Sequence, residues 1–345
     1  MNPTELLRNY KEKNIFLAKD ISKRLRVTNL FLLDFRGRLR SLAEWPGRLA
    51  FNLYLKVSQF KPDIAIFYSV QFAFLASHLS ARGVKIVYDC VDEVSAFSDQ
   101  SKSGSTLLKT EEGLIRKSSL IIASATALCE KIAKLRSDCF YVPNASDFEH
   151  FNKATKILER PADIETLNRP IVGFIGAVFD WIDVDLLCKI AQSHPDYSVL
   201  LVGPVNSGLD KLKRFPNIVM VGAKDYQILP NYLAFMDVCL VPFKINKLTV
   251  ASNPIKIYEY LAAGKPVVST ALPELQKSAS RVVLVGKDHD DFIQKVELTI
   301  EQAKGPDGRS ALTDRIEFAR DNSWGKRVEL IEKLLRNLMA IEKSE

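Results

Sequence analysis

The chain has 345 residues, a net charge of +7, 47% hydrophobic and 26% charged residues, with 15 Gly and 15 Pro. At roughly 150 residues per domain this corresponds to about two globular domains, and the composition excludes a disordered, collagenous or disulfide-rich chain. The longest apolar stretch, Ile64 to Leu79, is interrupted by Ser69, Gln71 and His78, so it does not read as a spanning helix of ~20 apolar residues.

In chain order, residues 1–60 come first and hold twelve Lys/Arg against five Asp/Glu, so the remainder of the chain is neutral. A helix is predicted over Glu5–Leu25, a strand over Val27–Leu33, a loop carrying Arg36, Arg38 and Arg40, and a helix near Leu49–Gln59. No apolar core follows the early basic residues, so a secretory signal is not expected. The basic block points to an acidic partner: an anionic membrane surface or a lipid phosphate. A solvated basic face is the alternative. Nucleic acid is not expected, because no aromatic-interleaved basic motif accompanies the charge. Cys90, Cys129, Cys139, Cys188 and Cys239 stand far apart without a C-x-x-C pair, and the four histidines are scattered. No metal centre and no disulfide framework are expected, and a cytoplasmic chain fits.

Strand-like runs follow at Ile64–Tyr68, Lys85–Tyr88, Leu120–Ala123 and Cys139–Val142, with helical stretches at Val70–Arg82, Thr106–Lys117 and Ala125–Lys134 between them. This alternation marks a parallel α/β domain. Its usual opening strand is expected to be missing. Lys153–Arg169, with Pro161, reads as a linker. A second series then brings strands at Ile171–Ile175, Ser198–Val202, Ile218–Val221, Val238–Val241, Val267–Ser269 and Val282–Val285. Helices are predicted at Asp183–Ser193, Tyr226–Ala234, Pro254–Ala263, Asp290–Lys304 and Trp324–Glu342. The expected domains are 1–160, 161–322 and a final helical segment, 323–345. Two such domains are expected to hold a ligand cleft where the carboxyl ends of their sheets meet.

The most informative segment runs from Ser252 to Val268. Asn253 or Ser252 suits a helix cap, Pro254 the first turn, and Gly264 the position just past the helix end. Lys256 and Glu259, three apart, share one face near the N-terminus. The free N–H groups and partial positive charge there, with Lys256, suit a diphosphate, and Glu259 suits ribose or sugar hydroxyls. A capped surface helix with an intrahelical Lys–Glu pair fits the same spacing.

This segment, Pro254-x-Lys256-x-x-Glu259-Tyr260-Leu261-Ala262-x-Gly264-Lys265-Pro266-Val267-Val268, resembles the nucleotide-sugar signature of group 1 (family 4-like) glycosyltransferases of the GT-B fold. Val142-Pro143-Asn144-Ala145-Ser146-Asp147 is similar to the family's domain-junction segment, Asp237–Phe243 to the strand before the donor motif, and Ser323-Trp324-x-x-Arg327 to the start of its last helix. The resemblance implies two doubly wound Rossmann-like domains facing a central cleft, with a C-terminal helix crossing back to the N-terminal domain. It implies Glu259 as ribose ligand, Lys256 with Asn253 and Pro254 at the diphosphate, and Gly176 as the opening glycine of the donor loop. The family's first glutamate falls at Ala251. The basic residue usual after the loop glycine is absent, which leaves Lys244 or Lys247 to supply a second positive charge, or simply to face solvent. The implied donor is a UDP- or GDP-linked sugar, with no further cofactor and no metal.

A second cluster, Tyr88-Asp89-Cys90-Val91-Asp92-Glu93, follows a strand. It is similar to a subgroup in which Val91 stands where other members carry a histidine. Asp92, then Asp89, is the expected catalytic carboxylate, a general base for an inverting reaction or an orienting group for a retaining one. The alternative is that Asp89 caps the next helix and Glu93 is solvated. Glu111 and Glu112 read as a solvated helix face, Tyr88 as core, and Trp181 as core or a stacking platform. The expected activity is hexose transfer to a glycan or lipid-linked acceptor in surface polysaccharide synthesis, by a cytoplasmic, peripherally membrane-bound enzyme. An epimerase on the same fold and an inactive transferase-like subunit are the rivals.

Overall fold

Runs of four or five aliphatic residues bounded by Gly, Pro, Asn or Asp are too short for helices and too apolar for an exposed face, which leaves buried parallel strands. The computed structural model describes residues 18–22, 25–28, 61–96, 102–156, 158–206, 210–303 and 308–341. It begins with an antiparallel pair, β1 (Ala18–Ser22) and β2 (Leu25–Thr28). These residues do not continue the helix expected over Glu5–Leu25, in keeping with the β-branched Ile21, Val27 and Thr28. Arg36, Arg38, Arg40 and the helix expected near Leu49–Gln59 lie outside the described residues.

A four-stranded sheet follows, ordered β3 (Ile64–Phe67), β4 (Lys85–Cys90), β5 (Leu120–Ala123), β6 (Cys139–Tyr141), with β3 and β4 parallel. Helices α1 (Phe74–Ser80), α2 (Lys102–Lys117) and α3 (Thr126–Ala133) alternate with these strands. The single helix expected from Val70 is interrupted: a 3₁₀ turn at Val70–Phe72, capped by Ser69, precedes α1. Glu111 of α2 is buried rather than solvated, and accepts a hydrogen bond from the Tyr88 hydroxyl at 3.0 Å. It stands three and four residues before the buried Leu114 and Ile115, on their face of the helix.

The second sheet has six parallel strands in the order β12-β11-β10-β7-β8-β9. They are β7 (Ile171–Ile175), β8 (Ser198–Val202), β9 (Ile218–Gly222), β10 (Val238–Val241), β11 (Val267–Thr270) and β12 (Val283–Gly286). Its helices are α4 (Phe148–Asn152), α5 (Val184–Ser193), α6 (Leu229–Phe235), α7 (Lys247–Val250), α8 (Ile255–Ala262), α9 (Pro273–Ser278), α10 (His289–Gln302), α11 (Gly308–Asp321) and α12 (Trp324–Ile341). Two apolar clusters pack this sheet. One gathers Ile171, Ile175, Cys239 and Val241 with α8, and the other gathers Val172, Phe174, Leu240 and Val268 with α5 and α10. Counted from β7, the strand order is the doubly wound 3-2-1-4-5-6, whose switch point lies between β7 and β10.

The described residues group into two compact units. One contains those up to Cys90, Val94–Ile122 and Ile132–Cys139, and the other Val91–Glu93, Ala123–Lys131 and those from Phe140 onward. In the second unit, the start of α12 is tied to the junction segment. Ser146 and Ser323 bridge, Trp324 N–H donates to the Ser146 carbonyl at 3.0 Å, and Arg327 Nε donates to the Pro143 carbonyl at 2.9 Å. Among the described residues no helix is long and apolar enough to cross a membrane.

Candidate donor-binding site

The carboxyl ends of β7, β8 and β9 each carry a glycine: Gly176, Gly203 and Gly222. Gly176 N–H donates to the Val202 carbonyl at 2.8 Å, and Gly203 N–H to the Gly222 carbonyl at 2.9 Å. Gly203 has φ +145°, and a Cβ there would stand 2.0 Å from the Gly176 carbonyl oxygen. Only glycine therefore lets the two turns stack. A Cβ on Gly176 would stand 2.7 Å from the Phe174 ring and 3.4 Å from Lys256 Cε. Gly176 is thus directly beside the lysine side chain. Sequence reasoning singled out Gly176 but missed Gly203, although Val202-Gly203-Pro204 ends a strand with the same signal.

Helix α8 supplies the charged pair. Its N-cap is Pro254, and no side chain caps it, so its first N–H groups are left without a side-chain acceptor. This corrects the expected cap by Asn253 or Ser252. The Ser252 hydroxyl donates to the Thr249 carbonyl at 2.8 Å, and the Asn253 amide donates to Glu274 Oε1 at 3.2 Å. Asn144 Nδ2 in turn donates to the Asn253 carbonyl at 2.6 Å. One turn in, Lys256 Nζ pairs with Glu259 Oε2 at 2.7 Å, and the Glu259 side chain is only 7% exposed against 22% for Lys256. Tyr260, on the same face, explains the register of α8 on the sheet. Its buried hydroxyl accepts from Ile175 N–H at 2.8 Å, the residue before Gly176. The helix ends as expected at Gly264, φ +70°, with Gly264 N–H on the Leu261 carbonyl and Lys265 N–H on the Tyr260 carbonyl, a Schellman ending.

The loop after β10 lies beside the glycine turn. Ile182 bridges Phe243, Lys244 N–H donates to the Trp181 carbonyl at 2.8 Å, and the Thr249 hydroxyl donates to the Lys244 carbonyl. Asn246 and Thr249 form a capping box at the start of α7. The backbone of Lys244 is therefore held while its side chain is exposed, and Lys247, the first residue of α7, is exposed as well. The structure thus brings Gly176, Pro254, Lys256 and Glu259 together. It holds Lys244 beside the Gly176–Trp181 loop without bonding it to Lys256. Trp181 is part-buried, edge-on to Phe179 at 5.2 Å between ring centres.

The acidic cluster is at the end of β4. Asp89 lies inside the strand and not at a helix end, and burial raises its carboxyl from 3.8 to about 7. Asp92 is exposed, with its carboxyl also shifted upward by desolvation. Glu93 is buried and paired with Lys131 at 3.3 Å, which corrects the expectation that it is solvated. Among the described residues no group of three His, Cys, Asp or Glu is placed to hold a metal ion.

Residues 169–302 match the model of the family described as Glycosyl transferases group 1. Over that segment the chain is similar to the group 1 glycosyltransferases. A "Putative teichuronic acid biosynthesis glycosyltransferase TuaH" of Bacillus subtilis (strain 168) is 29% identical, the match covering 70% of this chain and 64% of that relative. The match thus spans less than two thirds of that relative's length. The fold is GT-B, shared with a sucrose-phosphate synthase from Thermosynechococcus elongatus, with a TM-score of 0.71, 18% identity and coverage of 94% of this chain and 86% of that one. It is also shared with Anabaena HepE in complex with UDP and glucose, with a TM-score of 0.63, 18% identity and coverage of 88% and 84%. The matched family segment begins just before β7 and ends with α10, so it contains every residue of the glycine turn and of α8.

Proposed function

We propose that this protein is a glycosyltransferase that moves a hexose from a nucleotide diphosphate sugar, UDP- or GDP-linked, to a hydroxyl of a glycan or lipid-linked acceptor in surface polysaccharide synthesis. The observation that carries the reading is the Lys256–Glu259 pair on an α8 N-terminus that no side chain caps, set against the glycine turn of β7. Three features converge there on a diphosphate: N–H groups, the positive end of the helix dipole, and an ammonium. Gly176 leaves room for the phosphates or the sugar to approach the backbone. Glu259, the only acid on that face, takes the ribose hydroxyls. The ammonium has three donors, so Lys256 keeps Glu259 in place while it holds phosphate.

During transfer, the bond from the anomeric carbon to the diphosphate oxygen breaks, and charge accumulates on the departing nucleotide. Lys256 and the N–H groups of α8 stabilise that charge as it develops, which is where fixed dipoles act most effectively. No metal is needed for this step, a point that transfer in the presence of EDTA tests. The acceptor hydroxyl gives its hydrogen bond to a carboxylate of the acidic cluster. The sequence ranks Asp92 first, but Asp89, half-ionised near neutral pH, is better matched to taking a proton. The name of TuaH, a putative teichuronic acid biosynthesis glycosyltransferase, supports the polysaccharide assignment, and the UDP and glucose bound by HepE support the donor class. Incubation of the protein with UDP- and GDP-sugars and detection of released UDP or GDP tests the reading. Release of neither nucleotide, with or without glycan acceptors, overturns it.

A further inference from the structure

Among the described residues of the second unit, the acid most completely enclosed lies outside the Lys256–Glu259 pair and the acidic cluster. Glu274, in the first turn of α9, is 1% exposed. Its Oε2 accepts from the Thr126 N–H at 2.8 Å and the Thr126 hydroxyl at 2.9 Å. Its Oε1 accepts from the Tyr141 hydroxyl and from Asn253 Nδ2 at 3.2 Å. Thr126 opens α3. Glu274, 148 residues away in sequence, therefore satisfies a first-turn donor of α3 with a negative charge, the place where an anion is most favourable. The neighbouring Ser124 does not serve, because its hydroxyl donates to the Val91 carbonyl at 3.0 Å. At the other end of α3, Lys131 holds Glu93 at 3.3 Å.

These bonds form one chain. The loop Val91–Glu93, which carries Asp92 and follows Asp89, hangs on Ser124 and Lys131. Helix α3 begins on Glu274. Glu274 holds Asn253, whose carbonyl is also gripped by Asn144 and which immediately precedes Pro254, the N-cap of α8. We infer that Glu274 is a positioning residue that ties the acidic loop to the donor helix, so that a disturbance at either end is felt at the other. The inference builds on the proposed function for its meaning, since the two ends would be the acceptor carboxylate and the diphosphate site. The mechanical coupling itself is independent of any ligand. A carboxylate accepting four bonds in a buried place has two donors at each oxygen, and no neutral side chain of the same length can accept all four.

The test is amide hydrogen exchange on the ligand-free protein, comparing wild type with Glu274→Gln. The amide put in place of one oxygen turns a donor toward two donors. Exchange is expected to rise roughly 10- to 100-fold, the factor for losing a charged hydrogen bond, in three segments together: residues 91–94, 126–130 and 255–258. Residues 199–202 in β8 serve as the unchanged reference. Tyr141→Phe, which removes one donor and leaves the carboxylate, is expected to give the same pattern more weakly. It carries the test if Glu274→Gln does not fold. An increase confined to residues 272–279, or spread equally through the second unit, overturns the coupling. Failure of UDP and GDP to bind wild type would overturn the proposed function, while the exchange pattern would still decide the coupling.

Discussion

Lys256 and Glu259 are bound to each other, so their variants must be read for both stability and affinity. Lys256→Ala leaves the Glu259 carboxylate, 7% exposed, without its partner at 2.7 Å. An unsatisfied buried charged group costs on the order of 1–3 kcal/mol or more, and breaking a fully buried pair costs ~3–5 kcal/mol. The lysine end is 22% exposed, so a loss of about 2 kcal/mol is expected. Lys256→Met combined with Glu259→Gln removes both charges and should recover most of that stability, because neither partner is left stranded. Affinity should behave otherwise. Each single variant, Lys256→Ala or Glu259→Ala, should lose about 1.5–3 kcal/mol of nucleotide binding, roughly 10- to 150-fold in Kd, and the double variant should bind worst. Titration calorimetry with UDP and GDP, alongside urea unfolding, separates the two. A double variant that regains stability and binds nucleotide as well as wild type would refute the assignment and leave the pair a helix ornament.

The remaining predictions concern the acid cluster, the glycine turn and the basic block. Asp89→Asn should lower turnover by roughly 10²–10⁴ while leaving nucleotide affinity intact. Asp92→Asn with that effect, and an active Asp89 variant, would return the role to Asp92; two active variants would make the loop structural. Because burial holds the Asp89 carboxyl at about 7, the folded state keeps a proton that the unfolded chain releases near 3.8. Its stabilising contribution is therefore present below pH 4 and lost as pH rises through about 7. Asp89→Asn should flatten the urea-unfolding profile over that window, and an unchanged slope would contradict the shift. Gly203→Ala places a Cβ 2.0 Å from the Gly176 carbonyl oxygen, and should destabilise by at least ~1–3 kcal/mol, the usual range for overpacking. A melting temperature equal to wild type would refute it. Arg36→Ser, Arg38→Ser and Arg40→Ser together should abolish salt-sensitive co-sedimentation with anionic vesicles, each charge being worth about 1 kcal/mol at the surface; sedimentation indifferent to lipid charge would return the block to a solvated basic face.

The second sheet was legible almost strand by strand because its strands are short aliphatic runs between breakers, where period and punctuation agree. Ile171–Ile175, Ser198–Val202 and Val238–Val241 fall where the pattern places them. The Lys256–Glu259 face and the Gly264 ending were legible for the same reason, since both depend on spacing within one helix. The errors share an opposite cause. Asn253 has the chemistry of a cap, but its amide is taken by Glu274, a partner 21 residues further on. Glu93 and Glu111 look like surface acids until Lys131 and Tyr88 reach them from other elements. Gly203 matters because of the carbonyl of a residue in another turn. Helices α4, α7, α9 and α11 escaped notice, the first three being too short to show a helical period. Long-range partners decide these positions, and a single sequence does not display them.

The central claim, a nucleotide diphosphate held at the start of α8, is tested most directly by a crystal structure of the protein with UDP or GDP, whichever calorimetry shows to bind. The account predicts the diphosphate within hydrogen-bonding distance of Lys256 Nζ and the first N–H groups of α8, close over Gly176, with the ribose hydroxyls on Glu259. A nucleotide bound elsewhere, or one whose ribose leaves Glu259 paired only with Lys256, would contradict it.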